Sequence, residues 1–471
     1  MASDTYDLIV IGSGFAGCMT TLNFLETCQK AQKQVRVALV EAGRNGERCG
    51  ASRWTGAFLR LDKELNFDPG WIQEMITVSD SQADLEYCKT LAKEARATAE
   101  YLQDHGVQFI RHEEENVLLE FETNQHFVMP EGGGWGMVQV LMRHIERFDN
   151  CDLHWETEAH MLLKDDHGSV NGVTVRRSDG KFENLFAPNV MLSCGGFEGS
   201  KEMLAQHVGP KTEKIPLIAP GLQYNRGQGL KMAIDAGSDT SGSFDGMHME
   251  LADTRTSKPN AAIYGHSYGV VINEQCERFY DEGQRELFAT FEAIAVELWR
   301  EHNNGGFFIT DATIMDRFRP GWVYESTDRA PIQANTISEL ATKLAIDPDK
   351  LHQTISQFNT ACNDKPFDPM KLDGKATSGL AINKSNWATP LDNPPYYAFP
   401  VAAQLVFTFG GVKVNTDSQV LAPGGVPIPG LWATGELTGL YYNGNPPLTS
   451  VLRCLTFGRL AGTLLAELGS H

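Results

Sequence analysis

After a short polar start, the chain runs into an unbroken apolar segment, Leu8-Ile9-Val10-Ile11, that stops at a glycine. So short an apolar run, bounded by a glycine turn, predicts a strand buried on both faces. Residues 15–30 predict a helix, and Val35 to Val40 predict a second strand that ends at Glu41. These three elements make one βαβ unit with parallel strands. Helical spacing returns over 82–105 through Leu85, Leu91, Ala95, Ala99 and Leu102, and a further helix is predicted over 137–148. Short alternating runs over 152–193, with turns at Asp165-Asp166-His167-Gly168 and Ser178-Asp179-Gly180, predict a small antiparallel sheet. It closes on a buried strand, Val190-Met191-Leu192-Ser193.

The middle of the chain differs. Over 243–403 aromatic and acidic residues rise, helices are predicted at 285–301, 338–346 and 349–363, and 364–395 reads as loop. From 404 to 440 glycine turns and apolar strands return, and a last helix spans about 449–468.

Composition narrows the partners. The formal charge of −20 over 471 residues opposes binding to nucleic acid or an anionic membrane. An anionic small molecule is still admissible, because a few cations in a cleft set the local potential. Nine scattered cysteines without a Cys-x-x-Cys argue against disulfides, zinc or an iron–sulfur cluster, and point to a cytoplasmic protein without a metal. The N-terminus shows no signal-peptide pattern, and no run of about 18 apolar residues predicts a membrane span.

The first chemical motif is Gly12-Ser13-Gly14-Phe15-Ala16-Gly17, placed between a strand and a helix. Gly12 permits the tight turn, Gly14 lets a pyrophosphate approach the backbone, and Gly17 allows close packing of helix and strand. The helix start offers unpaired N–H groups and its positive dipole end to phosphates. Glu41, followed by Ala42, stands where a carboxylate accepts from ribose hydroxyls. This pattern serves FAD and NAD alike. Two distant segments narrow it: Leu192-Ser193-Cys194-Gly195-Gly196-Phe197, and the strand from Ile428 that ends in Thr434-Gly435-Glu436.

At these residues the chain resembles the fumarate reductase/succinate dehydrogenase flavoprotein superfamily. The resemblance implies FAD, with Glu436 holding the ribitol and Thr449, Ser450, Val451 and Leu452 forming a helix start that faces the flavin pyrimidine. Gly50, Ala51, Ser52, Arg53, Trp54, Thr55 and Gly56 match the loop that wraps the flavin. Where succinate dehydrogenases carry a flavin-linking histidine this chain has Ala51, so the expected FAD is non-covalent. Gly132 to Gly136, Gly227 to Gly237 and Thr456 to Gly462 match further family segments. The implied fold is α/β: a doubly wound Rossmann-type FAD-binding domain made of 1–241 and 404–471, with an inserted α+β capping domain at 242–403 that closes over the flavin. No second Gly-x-Gly-x-x-Gly unit is present for a nicotinamide cofactor.

Within the superfamily the chain is most similar to tricarballylate dehydrogenase-like oxidoreductases, through Gly50 to Gly56, Arg278-Phe279-Tyr280-Asp281-Glu282-Gly283 and Tyr441-Tyr442-Asn443-Gly444-Asn445-Pro446. That likeness implies desaturation or reduction of a C–C bond beside a carboxylate. Three residues are expected in catalysis: Arg285, one residue before the position of the family's proton-carrying arginine, which falls on Glu286; Tyr442; and His248. Tyr268, Thr408, Tyr441 and Arg453 are expected to touch substrate. The family's carboxylate-binding His and Arg positions fall on Phe407 and near Asn445. The paired tyrosines also fit a ketone-directed desaturase resembling 3-ketosteroid Δ1-dehydrogenases. A non-catalytic electron carrier is a third reading, disfavoured because a carrier has no need of so large a cap. The expected partners are a carboxylic acid or ketone and an electron acceptor that is oxygen, a quinone or a protein.

Overall fold

The computed structural model describes residues 4–110, 127–318 and 327–468. They divide into two compact units, one of 4–110, 127–247 and 407–468, the other of 248–318 and 327–406.

The first unit is α/β. Six strands form its main sheet: β1 (Leu8–Ile11), β2 (Val37–Val40), β3 (Cys151–His154), β4 (Val190–Leu192), β5 (Gln419–Ala422) and β6 (Val426–Ala433), in the order β5-β6-β4-β1-β2-β3. All neighbours are parallel except β5 and β6. The strands β1, β2 and β4 are buried throughout, which is why their sequences are continuous apolar runs. The segment 152–154 belongs to this parallel sheet, not to the small antiparallel one. Alternation in so short a stretch reports burial but cannot name the partner strand. The antiparallel sheet holds Glu158–Lys164, Val170–Arg176 and Phe182–Phe186, and Asp4–Thr5 joins its edge in parallel.

One face of the main sheet carries the helix Phe15–Lys30 and, against it, the closing helix Ser450–Leu468. Glycines set their approach: a Cβ at Gly458 would stand 2.6 Å from the Ala16 carbonyl oxygen, and one at Gly462 2.4 Å from that of Thr20. The helix Leu85–Asp104 follows its sequence period and is capped by Asp84, whose carboxylate accepts from the N–H groups of Glu86 and Tyr87. The helix Trp71–Val78 and the helix Gly133–Ile145 complete the layer.

The second unit is α+β. Its sheet runs in the order Met247–Asp253, Tyr396–Thr408, Gly306–Asp311, Val270–Asn273, with Ile332–Ala334 also pairing the long second strand. That strand begins at Tyr396, earlier than the glycine-rich region at 404 predicts. The helices Ile337–Leu344 and Pro348–Ala361 pack on the sheet through Leu340, Leu344, Leu351, Ile355 and Phe358, against Val270, Ile272 and Ile309. Residues 364–395 contain no helix or strand, as their polar, Pro-rich composition predicts.

Candidate functional site

The turn after β1 places the first motif. Gly12 has φ +99°, and a Cβ there would lie 2.4 Å from the Ser193 carbonyl oxygen. A Cβ on Gly17 would lie 1.8 Å from the Gly12 carbonyl oxygen, so only glycine lets the helix start this close to the strand. Gly14 caps the helix without a side chain, and the N–H of Phe15 meets the Ser52 hydroxyl at 3.1 Å. Ser52 thus comes from the Gly50–Gly56 loop to the helix start, beside Phe15 and Ala16.

Glu41 ends β2 and is buried. Its carboxylate accepts from the Ser13 N–H and hydroxyl at 3.0 and 2.6 Å and from the N–H of Gly43 at 2.8 Å. Arg48 donates to the Ser13 carbonyl and hydroxyl at 2.7 and 2.8 Å. The acid is therefore fixed beside the glycine turn, with Ala42 and Cys49 around it.

The loop around Ala51 lies against a second glycine loop. A Cβ at Gly134 would meet the Ser52 carbonyl oxygen at 2.1 Å, and the Gly134 N–H donates to the Thr55 carbonyl at 2.8 Å. Between the loops Arg53 sits over two indoles, 4.6 Å from the Trp54 ring centroid and 4.8 Å from that of Trp135. The Trp54 indole N–H is buried without a hydrogen-bond partner among the described residues.

A third cluster gathers at the ends of β4 and β6. A Cβ at Gly196 would stand 2.3 Å from both the Glu436 carboxylate and the Thr408 hydroxyl, and 2.9 Å from the Glu198 carboxylate. Thr408 donates its N–H to Glu436 at 3.1 Å and accepts at its hydroxyl from the Phe197 N–H at 3.1 Å. Its side chain is engaged inside this cluster. Gly195, with φ +76°, abuts Asn225, whose amide donates to Glu198 at 2.6 Å. Burial raises the Cys194 thiol to about 12, and the charges of Glu41 and Glu436 add to that rise, so the thiol stays neutral.

The closing helix supplies the last piece. Thr449 is fully buried, its carbonyl takes the Arg453 N–H at 2.9 Å, and its hydroxyl donates to the Pro446 carbonyl at 3.0 Å. The N–H groups at Ser450, Val451 and Leu452 begin the helix, where no preceding helical carbonyl can receive them. Leu448, just before, has φ +68°, a costly backbone for a side chain of this kind.

Arg453 points inward, and its exposure is 1 %. It donates to the Thr438 carbonyl at 3.1 Å and stacks on Tyr441, which is also buried. Tyr441 in turn reaches Thr449 at 3.2 Å and neighbours Phe407 and Phe409, with centroids 6.1 and 5.6 Å away. Tyr442 is half-buried.

In the second unit, both ring nitrogens of His248 are engaged by carboxylates: Nδ1 by Glu292, and Nε2 by Glu250 at 3.2 Å. Tyr264 donates to the other oxygen of Glu250 at 2.8 Å. Burial alone would depress the imidazole pKa. The hydrogen bonds to and charges of Glu250 and Glu292 more than offset that, and lift it to about 9.

The helix after the Arg278 motif starts at Leu287, so Arg285 lies in the bend before it and Glu286 is its N-cap residue. Arg285 is exposed and Glu286 is half-buried. Arg278 itself pairs with the buried Glu282. Tyr268 is packed among Phe318, Phe367 and Trp387 in the interior of its unit.

The donors fit FAD. The helix start beside Gly14 suits a pyrophosphate, Glu41 a ribose and Glu436 a ribityl chain, and the orphaned indole N–H of Trp54 lies on the Gly50–Gly56 loop that meets this helix start.

Comparison with known proteins agrees on the cofactor. The family model described as FAD binding domain matches residues 7–451. The vinyl phenol reductase of Lactiplantibacillus plantarum is 24 % identical over 505 residues, covering 98 % of this chain and 97 % of that protein. Among solved structures, the open form of a flavocytochrome c3 fumarate reductase superposes with a TM-score of 0.76 at 20 % identity, over 100 % of this chain and 79 % of that one. A 3-ketosteroid Δ1-dehydrogenase from Sterolibacterium denitrificans has a TM-score of 0.76 at 17 % identity, over 99 % and 100 %. No helix among the described residues is long and apolar enough to cross a membrane.

Proposed function

The chain belongs to the FAD binding domain family, it is an FAD-dependent oxidoreductase, and from that premise we propose that it reduces or forms a C–C double bond conjugated to a ketone or an aromatic ring. When bound, FAD supplies hydride exchange with one carbon of that bond. The protein must bind the activating group, exclude water and move one proton at the neighbouring carbon.

The observation that carries this reading is the aromatic cluster of Phe407, Phe409 and Tyr441 over a sealed Arg453. Of the two positions where the resemblance expects cations for a dicarboxylate, one falls on this cluster at Phe407, and the other falls near Asn445 in the sequence. Phe407, with Phe409 and Tyr441 buried behind it, would offer a flat, neutral substrate apolar contact and no charge. The half-buried Tyr442 is a hydroxyl donor suited to a carbonyl or phenol oxygen, where one well-placed donor is worth roughly 3 kcal/mol in the transition state. The likeness to a vinyl phenol reductase and the shared fold of a ketosteroid dehydrogenase support the same substrate class.

For the proton, Glu286 is the candidate, with Arg285 beside it. Glu286 occupies the position that the resemblance gives to a proton carrier, and its side chain is less exposed than that of Arg285.

A carboxylate-flanked substrate, as in tricarballylate dehydrogenase, stands second. That reading draws on Arg453 and His248 as cations, and the first is enclosed while the second already faces two carboxylates.

The test is anaerobic photoreduction followed by addition of alkenes, with flavin absorbance as readout. Reoxidation by a vinyl phenol or an enone supports the proposal. Reoxidation by an unsaturated tricarboxylate alone overturns it in favour of the second reading.

A further inference from the structure

Two carboxyl groups face each other in the first unit, one fully buried and one half-buried. Glu436 and Glu198 lie on either side of the space that a side chain at Gly196 would fill. Glu198 is fully enclosed, 1 % exposed, and Glu436 is half-buried. They come from segments far apart in sequence, one just after β4 and the other just after β6.

Their partners are unequal. Glu436 accepts the N–H of Thr408 at 3.1 Å and lies in the field of Arg453. Glu198 accepts through Oε1 from Asn225 at 2.6 Å. Its Oε2 is buried and meets no donor among the described residues; the group it faces is Glu436, another acceptor. An ionised carboxylate left so would cost several kcal/mol. A single proton on the pair removes the conflict, because a protonated oxygen becomes a donor. The Thr408 N–H and the cation fall to Glu436, so the proton belongs to Glu198.

We propose that Glu198 is a protonated carboxylic acid that donates a hydrogen bond to Glu436, and that this shared proton orients the Glu436 carboxylate for FAD. The inference rests on Glu436 being an FAD ligand. The residues facing the pair are Thr408 from the long strand, Asn225 from its loop, Cys194 from the turn after β4, and Arg453 and Cys454 from the closing helix, with Glu41 farther off. Of these Arg453 is the one cation, and it favours ionised Glu436. Desolvation and the facing carboxylate both push Glu198 upward from the ordinary range. Raising the pH must therefore at some point ionise Glu198, set two like charges against each other and loosen the cofactor.

The experiment measures the dissociation constant of FAD by the fluorescence released on diluting the holoenzyme, for the native protein, E198Q, E198A and E436Q, from about pH 6 up to the alkaline limit of the folded protein, the direction in which a raised carboxyl ionises. Gln at 198 keeps a donor toward Glu436 and an acceptor toward Asn225 without titrating. Expected are an E198Q affinity within about threefold of native at pH 7, an affinity flat with pH where the native one weakens, and a loss of about tenfold or more in E198A. If E198Q binds as poorly as E198A while E436Q is also impaired, Glu198 works as an ionised carboxylate and the proposal fails, though Glu436 keeps its role. If E436Q binds FAD as well as the native protein, it is the reading of Glu436 as a ligand that fails. Should E198A not fold, infrared difference spectra of native against E198Q decide: a protonated-carboxyl band lost in E198Q is expected, and its absence from the native protein overturns the proposal.

Discussion

Arg453 lies over the ring of Tyr441, its guanidinium carbon 4.8 Å from the centroid, and both side chains are buried. An arginine in this place, one helical turn into the closing helix, looks from sequence like an anion anchor. The structure instead makes it a pillar: it holds the Thr438 carbonyl, backs Tyr441 and lends positive field to Glu436. Replacing it by Ala removes a buried hydrogen bond and a stacked cation and leaves a cavity. Arg453→Ala should therefore lower unfolding stability by about 2–4 kcal/mol. A substrate anchor would behave differently, raising KM at unchanged stability. Denaturant unfolding alongside steady-state kinetics separates the two.

The cofactor should leave the protein without bond cleavage. Ala51 offers no nucleophile where the resemblance places a linking histidine. Acid precipitation should put the yellow colour in the supernatant. Colour retained in the pellet would show a covalent link formed elsewhere.

His248 ties the strand Met247–Asp253 to the helix Leu287–Glu301 through Glu250 and Glu292. Its pKa is raised from 6.5 to about 9. A cation stabilised by the fold contributes fully below its unfolded pKa, and the contribution fades as pH climbs through the folded value. The window is therefore about pH 6.5 to 9, and the linked stability is of order 3 kcal/mol. Unfolding midpoints should fall across that window in the native protein. In His248→Gln the slope should be shallower and the stability at pH 6 lower. An unchanged pH profile would mean that the imidazole is not the titrating group.

Much of this was legible in the sequence, and what was not has physical causes. Buried parallel strands are continuous apolar runs, so β1, β2 and β4 announce themselves, and Glu41 is placed by the strand it ends. The strand beginning at Tyr396 was hidden because Asn393-Pro394-Pro395 reads as loop and its aromatic start carries no alternation. Sequence gave Arg453 as a cation but not its enclosure, which depends on Tyr441, Thr438 and Tyr87 arriving from other elements. Glu198 was missed altogether. The signal was there, an acid two residues after the paired glycines, but its meaning comes only when Glu436 is seen opposite.

The place of Arg285 and Glu286 ahead of the helix, not on it, changes the expectation for the proton. On a helix a one-residue offset turns a side chain by about 100°; here both residues precede the helix, with Arg285 exposed and Glu286 half-buried. Glu286→Gln should slow substrate-driven flavin reoxidation by about 100-fold or more, the lower range for a general acid. Arg285→Gln should slow it less than about tenfold, and FAD content should be unchanged in both. The reverse ranking in stopped-flow traces would return the role to the arginine.

The aromatic wall makes the sharpest claim about substrate. If Phe407 excludes carboxylates by offering them no hydrogen bond and no charge, then an imidazole in its place should admit them. Phe407→His restores the residue type that the family resemblance expects there, and it is close in size, so the packing on Phe409 and Tyr441 should survive. The imidazole must be protonated to help, so the gain should appear at low pH and fade through the ordinary histidine range near 6.5. A charge-assisted hydrogen bond contributes roughly 1.5–3 kcal/mol, which converts to about 10- to 100-fold. The prediction is that the ratio of kcat/KM for an unsaturated carboxylate to that for a neutral enone or vinyl phenol rises by that factor at pH 6 and by little at pH 8. Most of the change should lie in the carboxylate, because the neutral substrate loses only part of one ring contact. An unchanged ratio at pH 6, with FAD content and stability preserved, would show that Phe407 does not face the substrate and would remove the main support for a neutral, conjugated alkene.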